Sequence, residues 1–195
     1  MSAESPALAL DFALGIASVV RRRVAYAFRS FCMVYGYRVV EEGPSGLRII
    51  YGGQGACATT VPARYKPRQP WRLAPAPIWY ECGETRVPLF HGGPEPDWLG
   101  ELFEWLAAAD EHAVRAVDDA GRVPFAGMVF GRYGIDPTVP WAAVLMAEFN
   151  KRLRGVLGRD GRAQPRSFGG GFPIVATHDL DYHPGLSGRG LMRTA

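Results

Sequence analysis

The sequence predicts a mixed α/β (α+β) protein, and three observations carry that prediction. Long stretches place apolar residues three and four apart, the spacing of one helix face. Between them lie short β-branched and aromatic runs bounded by Gly and Pro, the pattern of strands. Near the C-terminus a continuous apolar run, Phe172-Pro173-Ile174-Val175-Ala176, follows a glycine-rich stretch. Such a run suits a strand buried on both faces, as in a parallel sheet or barrel.

The elements follow in order. Residues Ala9 to Tyr35 read as one long amphipathic helix, with Phe12, Ile16, Val19, Val20, Tyr26, Phe28 and Phe31 on its apolar face and Gly36 ending it. Two short strands follow, Tyr37–Val40 and Leu47–Tyr51, joined by the turn Gly43-Pro44-Ser45-Gly46. Gly52 to Pro77 is dense in Gly, Pro and Ala and reads as loop with room for one short strand. Ile78–Glu81 and Thr85–Phe90 read as strands, Pro88 favouring an edge because it has no N–H to give a ladder. The second half is more helical. Trp98, Leu99, Leu102, Phe103, Trp105 and Leu106 form one stripe behind the acidic Asp97. Val139 to Leu157 forms another, with Thr138 as cap, Pro140 in the first turn, and Trp141, Val144, Leu145, Phe149, Leu153 and Val156 on the buried face. The expected organisation is a mixed domain over residues 1–157, a polar and glycine-rich linker over 158–171, and a new unit over 172–195.

Composition narrows the function. The net charge is only +3 and the basic residues are nearly all arginine, so neither a nucleic-acid nor a membrane partner is expected. The densest basic run, Arg21-Arg22-Arg23, reads as a solvated helix face. Cys32, Cys57 and Cys82 form no metal-binding or redox pair and read as reduced thiols. The apolar stretch Ala7–Val20 contains Asp11, is too short to span a bilayer, and precedes its basic residues, the reverse of a signal peptide. The expected location is the cytoplasm.

The chemistry-bearing motif is Thr177-His178-Asp179-Leu180-Asp181, directly after the apolar run. Residues two apart on a strand share a face, so Asp179 and Asp181 project together while His178 points away. Two carboxylates this close repel, and a divalent metal relieves the repulsion. The carboxyl ends of parallel strands are also where α/β enzymes keep catalytic groups.

This motif resembles the first motif of the polysaccharide deacetylase superfamily, the NodB homology domain. The resemblance implies a distorted (β/α) barrel whose first strand ends here, making residues 172–195 the start of an incomplete barrel. It implies Asp179 as general base, Asp181 as ligand of zinc or a similar divalent ion, and hydrolysis of acetyl groups on a glycan. Upstream, Gly121-Arg122-Val123-Pro124, Phe130-Gly131-Arg132-Tyr133-Gly134-Ile135, Pro137, Val139-Pro140 and Leu145-Met146 resemble a domain that precedes deacetylase domains in some bacterial proteins, over most of residues 10–157. That implies an accessory domain packed on the barrel. The family's His-x-x-x-His ligand pair is not matched: His91, His112, His178 and His183 include no two residues four apart. Only 14 residues follow Asp181, too few for a further βα unit and strand. The chain by itself is therefore expected to be inactive and to bind no metal tightly. A strand leading to Asp-x-Asp also resembles haloacid-dehalogenase-type phosphatases, in which the first aspartate is a nucleophile. Those place Thr or Val where this chain has His183. A third reading is a binding module without catalysis.

Other groups have simpler readings. Glu101, Glu104, Asp110 and Glu111 beside His112 could bind a metal but read as a solvated acidic face. Arg132 and Tyr133 could touch a glycan, but glycines shaping a turn with Tyr133 packed explains them as well. Trp98, Trp105 and Trp141 fall on buried stripes, leaving Trp71 and Trp79 as the candidates for exposure and sugar stacking. Gly169-Gly170-Gly171 precedes a strand, the wrong context for a phosphate loop.

Overall fold

The computed structural model describes residues 6–41, 47–53, 59–67, 73–83, 85–109 and 113–159. The protein is a mixed α/β fold. It begins with a strand where the sequence pattern predicts helix. β1 (Ala7–Phe12) is flanked by β2 (Arg38–Val39) and β3 (Leu47–Tyr51), and β4 (Thr60–Val61) completes a wholly parallel sheet of order β2-β1-β3-β4. The unbroken run Ala7-Leu8-Ala9-Leu10 explains the correction, because a central parallel strand is apolar throughout rather than alternating. Helix starts only after the turn at Gly15, whose φ of 84° is left-handed backbone. α1 then runs Ser18–Tyr35 and closes at Gly36 in the left-handed region, as the sequence predicts.

β2 and β3 do not pair with each other, since β1 lies between them. Register sets Leu8 against Val39 and Leu47, Leu10 against Ile49, and Phe12 against Tyr51. All of these but Val39, exposed on the edge strand, face the core, and α1 brings buried Val20, Val24, Ala27, Phe28, Phe31 and Cys32 to the same core. Ala9, Asp11 and Arg48 alternate onto the other face, where Arg48 closes an ion pair with Asp11 at 2.5 Å.

β5 (Ile78–Cys82) and β6 (Thr85–Leu89) form a separate antiparallel pair with Trp79 opposite Pro88. In a two-stranded sheet both strands are edges, which accommodates the proline. α2 (Trp98–Leu106) packs on α1, and α4 (Trp141–Arg159) packs on α2 and reaches β6. Between them lie a 3-10 turn (Phe125–Gly127) and the short α3 (Val129–Tyr133).

Thr138 is not the cap of α4. Its N–H and hydroxyl both donate to Asp136, holding that carboxyl below its ordinary range, and Pro140 supplies the carbonyl that accepts from Val144. Trp141, Leu145, Met146, Phe149, Leu153 and Leu157 of α4 are buried. Phe31 of α1 sits among Tyr35, Tyr37 and Phe149, joining the first and last helices. The Tyr37 hydroxyl donates to Asn150 Oδ1 at 2.8 Å across the same buried seam. Among the described residues no helix is long and apolar enough to cross a membrane.

Candidate functional site

A cluster of buried polar side chains lies at the carboxyl ends of β3 and β4 and the start of α2. Asp97 caps α2 and is fully buried. Its Oδ1 accepts from Gly100 N at 2.8 Å. Its Oδ2 accepts from the Tyr51 hydroxyl at 2.6 Å, Arg64 N at 2.9 Å and Tyr65 N at 2.7 Å. The end of β3, the segment leaving β4 and the first turn of α2 thus hang on one carboxyl group. Burial pushes its pKa up, and the four hydrogen bonds oppose that rise. The three main-chain neighbours are all donors, so none of them can accept a carboxyl proton. Burial, reinforced by Asp97, also raises the Tyr51 hydroxyl far above its ordinary value, so Tyr51 serves as a donor and not as a base. Gly100 is required here: a Cβ would lie 2.5 Å from Tyr65 Cβ and 2.7 Å from Asp97 Oδ2.

One turn further along α2, Glu101 is also fully buried. Its two oxygens accept from Phe90 N at 2.8 Å and His91 N at 2.5 Å, holding the segment after β6. Glu104 Oε1 lies 3.4 Å from His91 Nε2, with both side chains nearly sealed from solvent. Tyr65 packs edge-on against His91 and Phe103, and Arg23 of α1 donates to the Tyr65 hydroxyl at 2.5 Å. Glu101 and Glu104 therefore do not form the solvated acidic face that the sequence suggests. Their partners are main-chain N–H groups and a histidine distant in sequence, which no local pattern reveals. Asp97 is visible in the sequence as an acid before a helix, but Tyr51, Tyr65, His91 and Arg23 carry no signal of their own.

The constellation does structural chemistry. Asp97 and Glu101 direct their oxygens at main-chain donors, which fixes loops and leaves little for a substrate. Among the described residues no group of three or more His, Cys, Asp or Glu could hold a metal ion. Cys32 and Cys82 are buried free thiols; burial pushes Cys32 up to about 12 and raises Cys82 as well, so neither is an activated nucleophile.

A second place of interest is the topological switch point between the carboxyl ends of β1 and β3. The β1 connection leaves toward β2 and the β3 connection toward β4, the arrangement at which open α/β sheets bind ligands. Gly52 (φ 80°) allows close packing there, since a Cβ would meet Ile16 Cδ1 at 3.0 Å and Ala63 Cβ at 3.2 Å. The N-terminus of α1 above it has no side-chain cap.

The remaining sequence candidates separate clearly. Asp179 and Asp181, with His178 and His183, lie outside the described residues, as do Asp110, Glu111, His112, Trp71 and Cys57. Of the arginine run, Arg21 and Arg22 are both exposed, Arg21 also bonding Ile16 O and lying over the Phe12 ring, whereas Arg23 is half-buried and engages Tyr65. The run is a solvated face except at Arg23. Tyr133 donates to Ala74 O at 2.5 Å, and a Cβ on Gly131 would run into the Phe125 carbonyl, so that glycine and tyrosine serve packing. Trp98 and Trp141 are buried, Trp105 is partly so, and Trp79 is 37% exposed.

Fold and site together define an α/β domain stapled by buried carboxylates. The chain matches no protein-family model, no curated protein and no solved structure.

Proposed function

We propose that this chain is part of a cytoplasmic, metal-dependent hydrolase of acetylated glycans, with residues 1–157 as an accessory domain and Asp179 and Asp181 at the catalytic end. The observation that carries this reading is the motif Thr177-His178-Asp179-Leu180-Asp181 following a continuous apolar run. It is consistent with the commitment of the two fully buried acids among the described residues, Asp97 and Glu101, to main-chain donors and the Tyr51 hydroxyl. In this reading Asp179 takes a proton and Asp181 is a metal ligand. These 195 residues do not supply the His-x-x-x-His ligand pair of the resembled family, since no two histidines are four apart.

Two measurements test the proposal. Zinc titration of the 195-residue chain should show no tight stoichiometric site. A submicromolar site, a threshold of roughly the strength seen in structural zinc domains, would overturn the incomplete ligand set. In the protein translated from the intact gene, acetate release from an acetylated oligosaccharide should depend on added metal. Asp179→Asn should abolish release while retaining metal, and Asp181→Ala should lower metal content. Metal-dependent hydrolysis of an aryl phosphate, lost in Asp179→Asn, would replace the deacetylase reading with a phosphatase. Absence of both activities would leave a binding module.

A further inference from the structure

We draw no further inference here: the strongest candidate, the switch point between the carboxyl ends of β1 and β3 beside the uncapped start of α1, rests on a helix N-terminus with no second observation among the described residues to name a ligand.

Discussion

Helices α2 and α4 have similar apolar stripes in the sequence but opposite fates for their charged residues. α4 keeps Lys151, Arg152 and Arg154 exposed and buries Trp141, Leu145, Phe149 and Leu153. α2 buries Trp98, Leu99 and Leu102, and it also buries Glu101, Glu104 and the capping Asp97. The difference comes from what each helix meets. α4 presents those basic residues to water and buries one polar residue, Asn150. α2 meets chain segments leaving β4 and β6 whose N–H groups have no strand to pair with, and its carboxylates satisfy them. A buried N–H without a partner is destabilising, so an acid in this position acts as part of the backbone hydrogen-bond system.

Removing Asp97 tests that idea most severely. Asp97→Ala leaves three N–H groups and the Tyr51 hydroxyl without their acceptor, and each buried orphan costs about 1–3 kcal/mol. A loss of about 4 kcal/mol or more is expected in urea denaturation, enough to unfold many domains. Asp97→Asn keeps one acceptor oxygen and should lose less. It also isolates the charge. The folded pKa is raised above the unfolded value of about 3.9, so the carboxyl's contribution is fullest below that value and is lost as pH rises through the folded one. The asparagine variant should lack that downward slope with rising pH. A wild-type slope retained in the variant would assign the pH dependence to another group.

Next in size is Glu101→Ala, which orphans Phe90 N and His91 N and should cost about 2–6 kcal/mol. Glu101→Gln should recover about half of that, since one acceptor remains. Hydrogen exchange supplies the local readout: the Phe90 and His91 amides should lose protection ahead of the sheet. Uniform loss of protection would show a general destabilisation instead of a loop clamp. Tyr37→Phe comes below these at about 1–2 kcal/mol, because it removes a single buried donor from Asn150. Its effect should appear at the α1–α4 seam and leave the α2 amides unchanged.

The same contrast explains what could be read from sequence. Elements with a clean period were legible: α4, α2, β3 and the pair β5–β6 lie close to where spacing places them. β1 was not. Leu8, Leu10, Phe12 and Ile16 suit either period over so short a stretch, and the helical spacing of the residues that follow continues back through them. The deciding fact, that β1 lies between β2 and β3, is tertiary. The Asp97 cap is visible as an acid at a helix start, whereas Glu101 and Glu104 are not legible as buried, since the main-chain donors to Glu101 and the His91 side chain near Glu104 lie ten or more residues upstream. Local propensity places elements; long-range hydrogen bonds decide which charges go inside.

The smallest expected effect falls on α4, and it is the control that gives the others meaning. Lys151 Nζ and Glu148 Oε2 are 3.9 Å apart, with the lysine side chain 72% exposed. An exposed pair three residues apart contributes about 0–0.5 kcal/mol, because water screens the attraction and both side chains lose rotamer freedom when held together. Lys151→Ala should therefore leave the urea midpoint nearly unchanged, with any small loss disappearing in high salt. A loss comparable to that of Glu101→Ala would mean that helix charge in general stabilises this fold. A negligible loss beside a large one at Glu101 ties the stabilisation to carboxylates that take over main-chain donors, the feature α2 has and α4 lacks.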